Sequence, residues 1–315
     1  MKSSLNTDHW IQQEVTTLCN SNCGFCPRHT VGSRRTLGHI TPEMVEILLE
    51  RYAEAAPFSL NISGLGEPLM WPGIYDFIDR VKELDITLSM NTNALLLTEE
   101  SSRLIDVLDS LQVNISLPTS SLYRAYKGHD GFDVEMENLR SWYLRKGCRK
   151  PVTDMRLLRF DQTAPHLKAF IMKYSAILHH GDAIKISDFG NWGGLINESF
   201  FGVERPETPG NIKLICGNLT NHLTITKEGN AFACCYSIAF PEDHPFKLGN
   251  VKDRSLHQLL HGRKHEELLQ LQKDGVYVNE CNQCSNTKLK PKPYSGDETP
   301  LHNGLTSAGA RLIFE

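Results

Sequence analysis

The sequence has no apolar run long enough to cross a membrane and no excess of basic residues. A membrane-spanning helix needs roughly 18 or more consecutive apolar residues, so we expect no membrane partner. The formal net charge at pH 7 is −4, whereas a nucleic-acid-binding domain normally carries a basic patch. We therefore expect no nucleic-acid partner, since nothing in the charge supports such a substrate.

The N-terminus also lacks the apolar core of a secretory signal peptide, because residues 1–9 are mostly polar. We therefore expect the protein to be cytoplasmic. Hydrophobic residues make up 40% of the chain and charged residues 22%, which is ordinary for a globular protein. A length of 315 residues fits one large domain, or one domain with an appendage.

Cysteine is plentiful, with nine residues in the chain. In a cytoplasmic protein such a number points to metal or redox chemistry and not to disulfides. Seven of the nine fall into two sets with ligand-like spacing, and Cys148 and Cys235 are left over. The first set is Cys19, Cys23 and Cys26, and the second is Cys216, Cys234, Cys281 and Cys284.

The first set has the spacing C-x3-C-x2-C and follows a predicted strand, Trp10 to Leu18. Three thiolates on one short loop can bind three irons of a cubane cluster and leave the fourth iron without a protein ligand. An open coordination position is typical of a catalytic metal site. A zinc site with His29 as its fourth ligand, or three unrelated buried cysteines, are the alternatives that the residues alone leave open.

This loop, with an aromatic residue (Phe25) just before its last cysteine, resembles the radical S-adenosylmethionine (SAM) superfamily. The resemblance implies a 4Fe–4S cluster whose free iron chelates the amino and carboxylate groups of SAM. It also implies reductive cleavage of SAM to a 5′-deoxyadenosyl radical, which takes a hydrogen atom from the substrate. An external electron donor such as a flavodoxin or ferredoxin is implied as a partner.

Strands and helices alternate six times up to residue 188, which predicts a parallel sheet with right-handed crossovers. Six units are too few for a closed eight-fold barrel. The resemblance implies an α/β fold of the partial, open (β/α)6 type.

Several segments at the ends of these predicted strands resemble the SAM-binding motifs of the superfamily. Gly64-Leu65-Gly66-Glu67-Pro68 resembles its "GGE" motif, with leucine in the middle, and Thr92-Asn93-Ala94 resembles its "TNG" turn, with alanine in place of glycine. Ligands bind parallel sheets at the carboxyl ends of the strands. The SAM-binding residues that the resemblance implies are Phe25, Gly64, Gly66, Glu67, Asn93, Ser116 and Arg156.

The second set of cysteines is predicted to come together through a hairpin. Residues 223–233 alternate apolar and polar side chains around a turn at 227–230, which favours a β-hairpin that brings Cys216 and Cys234 together. With Cys281 and Cys284 they give four thiolates, for which zinc would be the first interpretation in isolation.

Beside the N-terminal motif, this second set resembles the "twitch" domain, a half-length form of the SPASM domain, which implies a small α+β unit with an auxiliary 4Fe–4S cluster. We predict a barrel domain at 1–195, a linker at 196–213, the auxiliary domain at 214–287 and a tail at 288–315. Two 4Fe–4S clusters and SAM are thus the expected cofactors.

Three interpretations of the activity remain open. The C-terminal pattern is similar to that of short twitch-type dehydrogenases of aminocyclitol biosynthesis, which implies oxidation with the auxiliary cluster as electron acceptor. The second is epimerisation of a sugar carbon or a peptide α-carbon, with Cys235 returning the hydrogen atom; other ribosomal-peptide modification is a related alternative. The third is an iron–sulfur protein without catalysis, which the open cluster site disfavours.

The Cys234-Cys235 pair also has a simple structural explanation, because neighbouring strand residues point to opposite faces. The cluster motif begins at residue 19, and we therefore expect no N-terminal peptide-binding domain. On that ground we expect a small polar substrate, such as an amino sugar or aminocyclitol, over a long leader peptide, with a short peptide as the alternative.

Overall fold

The computed structural model describes residues 5–31, 35–201, 216–285, 304–305 and 311–314. Its central feature is a parallel sheet of six strands in the order β6-β5-β4-β3-β2-β1. These strands are β1 (Trp10–Gln13), β2 (Phe58–Ile62), β3 (Ile86–Thr92), β4 (Ser110–Ser116), β5 (Val152–Arg159) and β6 (Ala183–Asp188). On its outer side β1 pairs with a strand of the C-terminal region and not with β6, so the barrel is open, as predicted.

Helices connect successive strands. They are α1 (Arg28–Val31), α2 (Pro42–Ala55), α3 (Ile74–Lys82), α4 (Ser120–Lys127), α5 (Phe132–Lys146) and α6 (Ala164–Tyr174). The predicted alternation of strands and helices is broken between β3 and β4, where the structure has a 3₁₀ turn, Glu99–Leu104. The sequence analysis also extended β1 to Leu18, whereas the paired strand ends at Gln13.

The apolar core lies between the helices and one face of the sheet. In α2 the side chain of Thr41 caps the first turn by accepting from the N–H of Met44. One face of this helix is buried, and so are the alternate residues Phe58, Leu60 and Ile62 of β2. Burying each such side chain contributes about 1.5–3 kcal/mol, so this face fixes the register of the sheet.

The opposite face of the sheet is polar. Asn61 of β2 donates to Ser89 at 2.9 Å and to Asn91 at 3.2 Å, both on β3. Farther along the sheet, Arg156 of β5 donates to Ser187 of β6 at 2.8 Å and to Gln112 of β4 at 3.3 Å. Since strand residues alternate between faces, these amides, hydroxyls and the guanidinium line the concave side of the open barrel.

The C-terminal region continues the same sheet. It contains α7 (Gly217–Asn221), β7 (His222–Ile225), β8 (Asn230–Phe232), β9 (Lys247–Asn250), α8 (Leu256–Leu260), α9 (Arg263–Lys273) and α10 (Asn279–Gln283). The predicted hairpin is present as β7 and β8, which are antiparallel. β7 also pairs in parallel with β1, from Trp10↔His222 to Gln13↔Ile225, a contact that the sequence did not predict.

Two further features complete the sheet. β9 pairs with β8 across a register shift. Gly249 adopts φ +157° beside this irregularity. In the tail, β10 (Gly304–Leu305) and β11 (Arg311–Phe314) are antiparallel, and β11 adds to β6 in parallel. In the part of the chain that the structure describes, no helix is long and apolar enough to span a membrane.

Candidate active site

The loop with the first three cysteines is anchored at both ends of the motif. The N–H of Gly24 donates to the carbonyl of Tyr126 at 2.7 Å, which ties the loop to the end of α4. The guanidinium of Arg28 donates to the carbonyl of Ser21 at 2.6 Å. These contacts fix the shape of the loop that carries the three thiols and hold it against α4.

The three thiols are close enough to affect one another electrostatically. Burial, together with the negative charges of Cys23 and Cys19, raises the pKa of Cys26 to about 12. The pKa of Cys19 is also raised, chiefly by burial. Thiols that repel one another when ionised fit a cationic group between them.

Hydrogen-bond donors surround these sulfurs. The amide of Asn93 lies 3.9 Å from Cys19 Sγ, and Ser21 Oγ lies 3.3 Å from Cys23 Sγ. Ser21 Oγ in turn lies 3.0 Å from Nε2 of His129. Hydrogen bonds to the sulfurs are one of the terms that set the reduction potential of an iron–sulfur cluster.

Gly66 lies against the start of the cluster loop. A Cβ atom built on it would overlap the carbonyl oxygens of Thr16 and Leu18, and the N–H of the next residue, Glu67, donates to the Leu18 carbonyl at 2.8 Å. The sequence analysis expected glycine here because of close approach to SAM. The structure adds a different requirement, which is close backbone packing between the turn after β2 and the cluster loop.

Glu67 is buried and its carboxylate connects two of the predicted motifs. One oxygen accepts from the hydroxyl of Thr92 at 2.7 Å and the other from the N–H of Asn93 at 2.7 Å. Burial raises the pKa of this carboxyl group, and these donors oppose the rise. Glu67 therefore holds the turn after β3, while its predicted contact with SAM stays a prediction.

The other predicted SAM-binding residues are placed as follows. Gly64 packs on Glu14, whose Cγ would be 2.7 Å from an added Cβ. Ser116 ends β4 with φ +68°, a strained conformation that is enriched at functional sites. Phe25 packs on the core, and Arg156 lies on the polar face.

The turn after β3 shows why glycine is usual at the position of Ala94. Ala94 is fully buried and adopts φ +58°, in the left-handed region that favours glycine. Alanine therefore replaces the usual glycine here, while the backbone of the turn keeps a conformation typical of glycine.

The second set of cysteines is brought together from three segments. Cys216 precedes α7, Cys234 follows β8, and Cys281 and Cys284 lie in and after α10. The charges of the other three thiols act on Cys281, and together with burial they raise its pKa to about 12. Gln272 of α9 contacts two members of this set through its side chain. Its Oε1 accepts from the N–H of Cys216 at 2.9 Å, and its Nε2 lies 3.7 Å from Cys281 Sγ.

Cys235 lies among these same thiols. Its sulfur accepts from the amide of Asn218 at 3.3 Å, and it is hydrogen-bonded to Cys234, which lowers the pKa of Cys234 and raises that of Cys235. The thiols of Cys216 and Cys284 are near enough to raise the pKa of Cys235 as well. The sequence analysis did not foresee that Cys235 belongs spatially to the auxiliary set.

A buried ionic network that the sequence analysis missed links the two regions. Arg35 pairs with Glu14, which follows β1 and has no exposed side-chain surface, and with Glu228 in the β7–β8 turn at 2.9 Å. Burial raises the pKa of Glu14, and the charge of Arg35 opposes that rise. Glu14 also accepts from the N–H of Leu65 at 3.2 Å, so the network reaches the turn after β2.

A second junction lies after β6. Asn191 is buried, and its amide donates to the carbonyl of Gln283 at 2.6 Å and accepts from the N–H of Ser285 at 2.9 Å. Trp192 packs on Tyr236, with ring centroids 4.9 Å apart. The chain beside Cys284 is thus fastened to the end of β6.

The two sets of thiols fit polynuclear iron–sulfur clusters by their donor chemistry. A cluster places each thiolate on a different iron, so it requires thiols that are near one another but not around one point.

Comparison with protein families supports this assignment. The model of the "Radical SAM superfamily" matches residues 14–170, and the SPASM model, an "Iron-sulfur cluster-binding domain", matches residues 216–285. The first match contains the first cysteine set and the strand-end motifs, and the second contains the other set.

Curated relatives share part of the chain. A probable GTP 3′,8-cyclase of Thermococcus kodakarensis is 30% identical over 127 residues, which cover 40% of this chain and 40% of the relative. The mycofactocin maturase MftC of Mycobacterium tuberculosis is 25% identical over 130 residues, 41% of this chain and 32% of the relative. The matched region therefore spans less than half of these relatives.

Solved structures share the fold over most of the chain. BtrN in complex with AdoMet and 2-DOIA is 17% identical with a TM-score of 0.56, and the match covers 90% of this chain and 94% of that one. The protein anSMEcpe with bound AdoMet has a TM-score of 0.62 at 14% identity, with 89% and 91% covered. SuiB of Streptococcus suis bound to its precursor peptide SuiA has a TM-score of 0.61 at 13% identity, with 90% and 71% covered.

Proposed function

Since the chain belongs to the radical SAM superfamily and carries a SPASM-type iron–sulfur domain, we propose that it oxidises a hydroxyl-bearing carbon of a small polar molecule. An amino sugar or an aminocyclitol is the substrate class. The cofactors are SAM and 4Fe–4S clusters, and an external one-electron carrier such as a flavodoxin or ferredoxin is the partner.

The observation that carries the choice of substrate is the polar concave face of the barrel. The half-buried amides of Asn91, Gln112 and Asn114 follow one another on β3 and β4, with Arg156 beside them on β5. Amide groups both donate and accept hydrogen bonds, which suits a ligand with several hydroxyl and amino groups. A site of this kind rejects an analogue that lacks those groups, because its own polar atoms are left unpaired.

In this proposal each set of residues has a separate task. Cys19, Cys23 and Cys26 hold the first cluster, and the turns at Gly66, Asn93 and Ser116 hold SAM above it. The second set of four cysteines holds the auxiliary cluster. When bound, the first cluster and SAM supply a radical that takes a hydrogen atom, and the auxiliary cluster supplies an acceptor for one electron.

The substrate carbon thereby loses a hydrogen atom, then one electron and one proton, and becomes a carbonyl. The polar face orients the ring so that one C–H bond points at the strand ends, and the buried junction at Asn191 keeps the auxiliary thiols beside the barrel. Positioning of this kind is a large part of the catalytic contribution of a protein around a reactive cofactor.

Epimerisation is the second candidate, with Cys235 as hydrogen-atom donor. One observation favours it: Cys235 is a fifth free cysteine beside the set of four, which leaves one thiol to act as the hydrogen-atom donor. Modification of a ribosomal peptide is a further alternative, since SuiB is similar in fold and was solved with its precursor peptide.

The test is anaerobic turnover with SAM and dithionite against a panel of amino sugars, aminocyclitols and short peptides. Reconstituted protein should hold about eight irons, as two cubane clusters, and the triple variant Cys19→Ala/Cys23→Ala/Cys26→Ala about half of them. A product that has lost two hydrogens, formed with 5′-deoxyadenosine, supports the proposal. Protein that takes up only zinc under reconstitution would end it.

A further inference from the structure

A cationic cavity lies on the C-terminal domain, between β9 and the start of α9. Its volume is about 550 Å³, and its lining includes Lys247, Arg254, Arg263 and Lys264 with a single acidic residue, Glu267. Glu267 pairs with Arg263 at 2.7 Å. In the described part of the chain no carboxylate forms an ion pair with the other three cations.

This local charge is opposite in sign to that of the whole protein, whose net charge is −4. Arg254, Arg263 and Lys264 are exposed, and Lys247 is half-buried. Exposed charges of one sign contribute little to folding, but they steer an oppositely charged partner towards one surface. The open shape and the exposed, extended cations fit the acidic surface of a protein better than a small enclosed ligand.

Helix α9 runs from the cavity to the auxiliary cysteines. Lys264 lies in the first turn of this helix and Gln272 in its last turn, where Gln272 contacts both Cys216 and Cys281. Eight residues of helix separate them, which is about 12 Å along the axis. His265 fixes the same helix to α7, just after Cys216, since its Nε2 lies 2.6 Å from the carbonyl of Leu219.

From these observations we propose that the cavity docks an acidic one-electron carrier protein, a flavodoxin, that exchanges electrons with the auxiliary cluster. The inference rests on the proposed function and names the partner of that site. One electron is consumed for each SAM cleaved, and one leaves the substrate carbon, with a proton to solvent, for each carbonyl formed. A flavodoxin that takes up this second electron goes from quinone to semiquinone, and the electrons balance.

The test isolates the auxiliary cluster in the variant Cys19→Ala/Cys23→Ala/Cys26→Ala. The cluster is reduced with dithionite, excess reductant is removed, and electron transfer to an oxidised, purified acidic flavodoxin is followed by stopped-flow absorbance. Adding Arg254→Glu/Lys264→Glu should lower the second-order rate constant at low ionic strength about tenfold or more, and should flatten its salt dependence.

The matched control is Lys168→Glu/Lys173→Glu, two exposed lysines on α6 of the barrel. It makes the same change in net charge and should alter the rate less than about twofold. Iron content and circular dichroism of each variant show that its cluster domain is folded.

Equal rate constants for the two double variants would overturn the docking proposal. So would inorganic phosphate that binds saturably and only when Arg254 and Lys264 are intact, while the flavodoxin rate is unchanged, because the cavity would then be a small-anion site. Failure of the proposed function is distinguishable from failure of the docking proposal, because wild-type protein would then form no oxidised product even with dithionite as reductant.

Discussion

The carboxylate of Glu67, just after β2, accepts a hydrogen bond of 2.7 Å from the N–H of Asn93, just after β3. The amide of Asn93 in turn donates to Asn20 in the cluster loop at 2.7 Å. Hydrogen bonds thereby join the cluster loop, the turn after β2 and the turn after β3. Glu67 acts as a positioning residue for the turn that carries Asn93.

Glu67→Gln should therefore damage this connection. An amide in place of the carboxylate puts a donor opposite the N–H of Asn93 or the hydroxyl of Thr92, and a buried donor left unpaired costs about 1–3 kcal/mol. We expect the free energy of unfolding to fall by that amount and SAM binding to weaken. The exposed Glu99→Gln is the control, and equal unfolding free energies for both variants would contradict the assigned role.

Gly66→Ala should be tolerated much less well than an ordinary glycine substitution. The new methyl group overlaps two carbonyl oxygens of the chain leading into the cluster loop, and backbone atoms cannot move away as a side chain can. Overpacking of this kind costs about 1–3 kcal/mol, and we expect lower iron content at the first site. Gly217→Ala is the matched control, because its added Cβ meets open space; similar iron content in both would show that the overlap is relieved.

Arg35→Met should be strongly destabilising, because it leaves the buried Glu14 without its cation. Removal of one member of a buried ion pair costs about 3–5 kcal/mol. Arg80→Met breaks the exposed pair with Glu46 and should change stability far less, because solvent screens that pair. Urea unfolding measures both, and the double change Arg35→Met/Glu14→Gln should recover part of the loss. Equal costs at the two arginines would mean that Glu14 is neutral in the folded protein.

His222 should make the junction between β1 and β7 sensitive to acid. Burial lowers its pKa to about 3 from an ordinary value of 6.5, so as pH falls below 6.5 the unfolded chain takes up a proton that the folded chain does not. Stability present above pH 6.5 is then lost towards pH 3, at about 1.4 kcal/mol per pH unit.

The comparison is His222→Gln, which keeps a donor towards Thr224, 2.8 Å from the histidine Nε2. Between pH 7.5 and 5.5 the wild type should lose stability relative to this variant, as measured by urea unfolding of the iron-free chain at several pH values. Parallel profiles would show that His222 takes up its proton as readily in the folded protein as in the unfolded chain.

The fold was largely predictable because its signals are local. The alternation of strands and helices predicted the parallel sheet, and the hairpin predicted at 223–233 is present as β7 and β8. The family resemblance then gave the open barrel and the two cluster sites. By contrast, the parallel pairing of β7 with β1 joins residues about 210 positions apart, and no local pattern encodes it.

The buried charges were not predictable for the same reason. Lys127 and Glu135 form a buried pair at 3.0 Å, and Glu14 meets Arg35 from another segment. In a sequence such residues look like solvated charges, since only the tertiary contacts reveal their partners. Motifs told us where chemistry could occur, but not that Gly66 serves backbone packing or that Cys235 lies beside the auxiliary thiols.

The last prediction separates oxidation from epimerisation. Both reactions begin with loss of a hydrogen atom from carbon, but only epimerisation needs a hydrogen atom back, and the weak S–H bond of a thiol supplies one more readily than water does. Cys235→Ala should therefore leave an oxidising enzyme largely active and with its full iron content. Cys234→Ala should instead lose about half of the iron, as one of two clusters.

The measurement is turnover in deuterium oxide with mass analysis of the product. Deuterium on carbon in the wild type that disappears in Cys235→Ala would replace oxidation with epimerisation. Loss of iron in Cys235→Ala would instead make Cys235 a cluster ligand, because its thiol already lies near those of Cys216 and Cys284.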